Sequence, residues 1–314
     1  MESSRTSTKP IIEMENRLYK RTLIALFALS GALFLFTGCA EQTMDATLTN
    51  TTTFVPESTL EQADRVKNIF VVIPSPVEMV TLIQETGSRY DHKVLNDVEN
   101  RDRYKTAKRK AVNLGIYGAD LSYASVFNQN QESILYFSCA KHLADELGVS
   151  SAFSEEMMER VEENLEDKDS LLHIITETFY ELDAYLKEND RSAISAQVIS
   201  GGWLEGLYLA SCMAENNNGD SDLIKRLVDQ RYALKDLLVL NEAYNTDGSL
   251  DGLIADLRVL EEIYDRATTE GAGAQTNIED GKLVIGGGKE LKMKDEDVDV
   301  LIAQAKDIRN RYVQ

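Results

Sequence analysis

Apolar residues recur at steps of three and four along most of the chain after residue 77, which is the spacing of one face of an α-helix. Small residues dominate the stripe within 102–129 and predict close packing against a neighbouring helix. The same spacing predicts further helices over 132–147, 158–186 with a break at 167–170, 192–214, 221–244, 250–267 and 296–312. Asp169 and Ser170 are the predicted caps at that break. None of the four prolines follows Pro76, so nothing beyond it forces a helix to break.

A small amount of β-structure is predicted near the C-terminus. The segments 282–285 and 290–293 flank three glycines and predict a hairpin, whereas 268–275 predicts a loop. The predicted fold is therefore all-α, an antiparallel multi-helix bundle or array of about eight helices with a small β-hairpin. We expect one helical domain over 62–314, with two subdomains meeting near 216–220 as the alternative. The apolar run 69–73 fits a strand or a helix equally well.

Residues 1–38 have the pattern of a secretory signal peptide. Basic residues precede the apolar run 22–36, which is short for a membrane span, and small residues lead to Cys39. This pattern resembles the lipobox of bacterial lipoproteins, although Phe36 stands where that family usually has Leu. The resemblance implies cleavage by signal peptidase II and lipidation of Cys39 with acyl chains of the palmitate type. An ordinary signal or N-terminal anchor with an incidental cysteine is the alternative.

The residues around the leader refine this expectation. Lipoproteins with Asp after the cysteine stay in the inner membrane, and Ala40 at this place implies the outer membrane, with the periplasmic or surface face left open. Translation from Met1 or from Met14 gives the same mature chain. Residues 39–61 are rich in Thr, Ser and acidic residues without an apolar period and predict a flexible tether.

The charge balance excludes several partners. The chain has 33 Lys and Arg residues against 53 Asp and Glu residues, a net charge of −20. Such a chain lacks the positive field that nucleic acid requires, so we expect no nucleic-acid partner. Acidic lipid head groups would also repel it, and anchoring to the bilayer must come from the acyl chains on Cys39.

One carboxylate stands out in the predicted helix 192–214. Glu205 is the single charge of this apolar helix, where it must find a partner or take up a proton. We considered His142, His173 and Lys141 as that partner. The functional hypothesis is a ligand-binding carboxylate in a bundle cavity with Trp203 and Tyr208; the alternative is a structural ion pair.

A second candidate lies on the glycine-interrupted helix that includes 113–123. Tyr117 and Asp120 would line or orient a ligand, but core tyrosines with satisfied hydroxyls are commoner. The stretches Ile73–Pro76 and Asn113–Tyr123 resemble a group of uncharacterised bacterial lipoproteins. That resemblance implies neither an activity nor site residues.

No residue pattern predicts a cofactor, a metal or catalysis. The segment 247–258 is similar to a calcium loop but has Arg258 where the bidentate Glu belongs, so a turn is the better interpretation. Cys139 and His142 make half a metal site with no matching second half. Whether Cys139 and Cys212 pair is left open. No nucleophile elbow, HExxH motif or ordered triad occurs, so we assign no catalytic residue.

These observations predict a membrane-anchored, non-enzymatic binding or assembly scaffold of the cell envelope with a protein partner. The alternative is a small-molecule carrier or ligand sensor whose cavity involves Glu205, Trp203, Tyr117 and Asp120. An enzyme that uses Glu205 or Asp120 as a general acid or base is a third hypothesis.

Overall fold

The computed structural model describes residues 76–216, 221–270, 275–279, 282–286 and 290–314. The predicted leader, Cys39, the tether and the apolar run 69–73 lie outside these residues. Within them the all-α fold is confirmed. The helices are α1 (Pro76–Glu85), α2 (Ala107–Val126), α3 (Asn130–Glu146), α4 (Glu155–Glu163), α5 (Lys168–Glu188), α6 (Ser192–Asn216), α7 (Ser221–Tyr244), α8 (Asp251–Tyr264) and α9 (Asp295–Val313). Short 3₁₀ helices span His92–Val94, Val98–Arg103 and Ser150–Phe153.

Polar side chains fix where several helices begin. Thr106 caps α2 by accepting a hydrogen bond from the Arg109 backbone N–H at 3.2 Å. The predicted break before α5 is confirmed, but its cap is Asp167, which accepts from the Ser170 N–H at 3.2 Å. We had expected Asp169 or Ser170 in that role. Asp167 lies one residue before the first helical residue, where a side-chain oxygen reaches the unpaired N–H groups.

Helix α6 forms the centre of the fold. Almost every side chain from Ser195 to Ala214 is buried, and α2, α1, α5, α7 and α9 pack around it. The interpretation of 192–214 as a buried central helix is therefore confirmed. Among the residues that the structure describes, no helix is both long and apolar enough to cross a bilayer.

Glycines bring the backbones of α2 and α6 into direct contact. A Cβ atom on Gly115 would lie 2.0 Å from the Val198 carbonyl oxygen, and one on Gly201 would lie 2.0 Å from the Val112 carbonyl oxygen. The predicted close packing of the small-residue helix is confirmed. The crossing leaves no room for a side chain on either glycine.

The β-structure near the C-terminus is confirmed, but its strands pair differently from the prediction. Strand β2 (Gln275–Glu279) pairs antiparallel with β3 (Lys282–Gly286), and β1 (Thr268–Glu270) pairs antiparallel with β4 (Glu290–Lys292). The predicted loop 268–275 therefore contains strand residues, and the predicted pairing of 282–285 with 290–293 is wrong. The sequence between β2 and β3 is Asp280-Gly281, a strong hairpin signal that explains the observed pairing.

The helices on either side of 217–220 pack against each other. Helix α7 packs on α6 and α8, and α9 contacts both α6 and α8. All described residues belong to one compact unit, which spans 55–314.

Candidate functional site

Glu205 forms a buried ion pair with Arg309 of α9. The Arg309 Nε and Nη2 atoms donate to the two carboxylate oxygens at 2.7 and 2.8 Å, a bidentate arrangement. The Arg309 side chain is 5% exposed and that of Glu205 is 0% exposed. Burial lowers the pKa of the guanidinium, but the Glu205 charge outweighs this effect, and the net pKa is raised.

The partner of Glu205 is therefore none of the three residues that we considered. His142 lies 3.3 Å from Asp102, and Lys141 binds Asp145 at 3.0 Å. The sequence contained a usable signal for Arg309, which we missed. Ala305 and Tyr312 belong to the apolar stripe of the last helix. Arg309 lies four residues after Ala305 and three before Tyr312, so its side chain lies on the same face.

Two further contacts hold the Arg309 guanidinium in place. Its Cζ lies 4.2 Å from the centre of the Tyr208 ring, a cation–π contact. Its Nη2 also donates to the Val94 carbonyl oxygen at 3.3 Å. The ion pair thus joins α6 and α9 to the segment before α2.

Asp120 of α2 completes a buried polar cluster with Glu205 and Arg309. Its carboxyl lies within hydrogen-bonding reach of Glu205, and its Oδ2 accepts from the Asn96 backbone N–H at 3.2 Å. Burial raises the pKa of Asp120 well above its ordinary value of 3.8, and the Glu205 charge raises it further. The Asp120 Oδ1 atom is buried and accepts no hydrogen bond from an N–H or hydroxyl group of the described residues. The raised pKa favours a protonated Asp120 beside the Glu205–Arg309 ion pair.

Replacing Asp120 with asparagine tests this protonation state. The amide keeps a donor for Glu205 and an acceptor for the Asn96 N–H but does not titrate. Folding raises the pKa of the Asp120 carboxyl. The free energy of unfolding then falls by about 1.4 kcal/mol per pH unit as pH rises from the unfolded-state pKa towards the folded-state pKa. We therefore expect the stability of Asp120→Asn relative to the native chain to increase as pH rises above about 4.

Urea unfolding at a series of pH values measures this difference. The exposed carboxylate of Asp299 provides the control, because Asp299→Asn should change stability little at every pH. A difference between Asp120→Asn and the native chain that stays constant with pH would show that Asp120 is ionised in the folded protein.

The other two predicted ligand residues are also internal. The Tyr117 hydroxyl donates to the Asp97 carbonyl oxygen at 2.8 Å, and its ring packs against Tyr104 and Tyr136. The Trp203 Nε1 atom donates to the Gln230 Oε1 atom of α7 at 3.0 Å. The structure thus brings Asp120 and Glu205 together, whereas the indole N–H of Trp203 binds Gln230 of α7.

The polar cluster is sealed from solvent. Glu205, Asp120 and Tyr117 have no surface that a water-sized sphere can reach, and Trp203 is almost completely buried. A void large enough for one water beside the Glu205 carboxylate would expose part of the carboxylate surface to a water-sized sphere. The absence of such surface shows that no void of this size adjoins Glu205 within the part of the chain that the structure describes. The cluster fits a structural ion pair.

The remaining candidate patterns have ordinary structural roles. Asp247 accepts from the Ser249 N–H at 2.9 Å in a turn that leads into α8, and Arg258 of α8 binds Glu242 and Glu261. Cys139 and Cys212, whose pairing the sequence left open, are both free and buried. Burial raises the pKa of Cys139 to about 11. The described residues contain no group of three His, Cys, Asp or Glu side chains that could hold a metal ion.

A groove lies between α1 and α7. Its volume is about 550 Å³, and it is open to solvent. Helix α6 passes beneath both walls, because Met79 of α1 packs over Gly206 and Gln230 of α7 receives the Trp203 hydrogen bond. The apolar lining consists of Val77, Met79, Leu82, Tyr232 and Ala233.

The groove is acidic. Its described lining includes the carboxylates of Glu78, Glu85, Asp229 and Asp236 and the guanidinium of Arg226. Glu78 and Asp236 have interaction partners of their own. Burial raises the pKa of Asp229, while Lys225 and Arg226 lower it. Lys225 is already engaged by Glu290 at 2.5 Å. No local sequence pattern signals this groove, because it depends on the tertiary spacing of α1 and α7 over α6.

Comparisons with protein-family models, curated proteins and solved structures returned no match. The class of this protein therefore rests on its own geometry: an all-α helical array with a sealed ionic centre and an open acidic groove.

Proposed function

We propose that this protein is a non-enzymatic scaffold of the cell envelope, anchored to the outer membrane through lipidated Cys39. In this proposal the helical body is held at the membrane and presents a surface to an envelope protein. The leader pattern before Cys39 supports the anchor, and the helical body supports the scaffold.

The observation that carries the scaffold function is the sealed polar centre. Glu205, the most conspicuous candidate for ligand chemistry, has both oxygens bound by Arg309 and no adjoining space. A carrier or sensor requires a cavity beside these groups, and an acid–base enzyme requires access for a substrate. The packing therefore favours the scaffold over both alternatives and leaves the outer surface to carry the function.

Mass spectrometry of the protein from the envelope fraction tests the anchor. We expect a mature chain that begins at Cys39 and carries the added mass of acyl chains. Cys39→Ser should retain residues 1–38 and lack that mass, because the lipidated cysteine is the cleavage signal that the resemblance implies. Cys212→Ser is the matched control, since this buried thiol lies within α6. An unacylated mature chain in the soluble fraction would contradict the proposal.

The partner is tested by cross-linking in intact cells. The native chain should give a defined cross-linked protein partner, and this adduct should weaken when a cleavable leader without a lipidation site releases the body from the membrane. An adduct that is unchanged by release would show that tethering is irrelevant to the scaffold.

A further inference from the structure

We propose that the groove between α1 and α7 binds a cationic amphipathic helix of a partner protein. The inference deepens the scaffold function and rests on it for the existence of a partner. It is carried by the dimensions of the groove, its aromatic and apolar lining, and its charge.

The dimensions fit a short helical segment. Helix α1 has ten residues, so the wall that it forms is about 15 Å long. A bound helix of the same length has about three turns and places apolar side chains at positions i, i+3 or i+4, and i+7 along one face.

The lining provides an aromatic anchor. The Tyr232 side chain is 58% exposed although it stands beside the apolar Ala233 and the half-buried Leu82. Tyrosine is among the residues that contribute most to protein interfaces, because its ring buries a large area at low entropic cost. Covering this ring gives a bound apolar face a direct gain from desolvation.

The charge selects the occupant. Glu85 and Asp229 at the groove, in a chain of net charge −20, attract a cationic segment and repel anionic ones. A second copy of this chain has a net charge of −20 and is disfavoured. The chain's own residues 40–61 contain four acidic residues and no basic residue, so this stretch is disfavoured too. An approaching Lys or Arg would also stabilise the ionised form of the partly buried Asp229.

A segment of this chain is the competing occupant. Arg65 and Lys67 precede the apolar run Ile69–Ile73, and this sequence has the same chemistry as the proposed partner helix. The experiment must therefore separate binding of another chain from occupation by residues 65–73.

The test measures binding of a fluorescent peptide to the full mature protein in detergent. The probe is an amphipathic helix of about 18 residues built from Leu and Lys, and its Leu/Glu counterpart is the reference. We expect the Lys peptide to bind, with affinity that falls as salt concentration rises, and the Glu peptide not to bind. Tyr232→Ala should weaken binding about tenfold or more, and Asp229→Asn a few-fold.

Matched variants separate the groove from general attraction to an acidic protein. Tyr180 of α5 is 57% exposed and does not line the groove, so Tyr180→Ala should leave affinity unchanged. Asp299→Asn removes one exposed charge from α9 and should also have little effect. Equal losses for Tyr232→Ala and Tyr180→Ala, or binding of the Glu peptide, would overturn the proposal.

A last variant tests the competing occupant. Replacing the five residues Ile69–Ile73 with Ser should leave probe binding unchanged if the groove serves a partner. Binding that occurs only after this replacement would assign the groove to residues 65–73 and overturn the proposal. None of these measurements depends on lipidation, so failure of the groove proposal is distinct from failure of the membrane anchor.

Discussion

Arg309→Met is expected to lower the free energy of unfolding by about 3–5 kcal/mol, because it leaves the Glu205 carboxylate buried without its counter-charge. The Glu205 side chain is 0% exposed, so water cannot replace the guanidinium. The variant also removes the cation–π contact with Tyr208. Urea denaturation followed by circular dichroism measures the loss.

Two controls decide whether the buried charge is the cause. The exposed pair Arg160–Glu177 has a similar N–O distance of 2.9 Å, and Arg160→Met should cost at most about 1 kcal/mol. The double variant Glu205→Leu/Arg309→Met removes both charges and should recover much of the stability lost by Arg309→Met. A loss for Arg309→Met no larger than that for Arg160→Met would contradict the buried ion pair.

Gly201→Ala is expected to destabilise the protein by about 3 kcal/mol, at the upper end for overpacked cores. The added Cβ would lie 2.0 Å from the Val112 carbonyl oxygen. Because the obstructing atom belongs to the backbone of α2, the two helices must separate to admit it. Gly115→Ala meets the Val198 carbonyl oxygen at the same distance and should have a comparable effect.

Gly252→Ala is the matched control for the helix crossing. Gly252 is an exposed residue of α8, and the nearest atom to an added Cβ is the Lys108 Nζ, the mobile end of a long side chain. Alanine there should gain up to about 1 kcal/mol from helix propensity. Stability changes of the same sign and size at Gly252 and Gly201 would show that α2 and α6 do not meet at the glycines.

The sequence was sufficient to predict the helices because apolar spacing reports directly on which face is buried. The break between α4 and α5 and the close crossing of α2 and α6 were both visible in local residue types, namely cap residues and glycines. The strand pairing was not predicted correctly. Residues 268–279 lack the alternating apolar pattern that marks a half-buried strand, and pairing in this hairpin is set by its turn.

The candidate site was only partly predictable, for a physical reason. A single charge in an apolar helix indicates that Glu205 needs a partner, but the partner's identity depends on a contact between residues 104 positions apart. Asp120 was selected as a candidate on its own helix, yet its proximity to Glu205 comes from the α2–α6 crossing. The groove depends on tertiary spacing alone, and no local pattern reports it.

The position of Arg309 also constrains the order in which the chain can mature. Chains are synthesised from the N-terminus, so α2 and α6 emerge from the ribosome well before α9. Until Arg309 emerges, burial of Glu205 beside Asp120 is penalised, which keeps the central helix pair from closing prematurely. Final consolidation of the body therefore waits until α9 is available, so closure of the central helix pair depends on almost the whole chain.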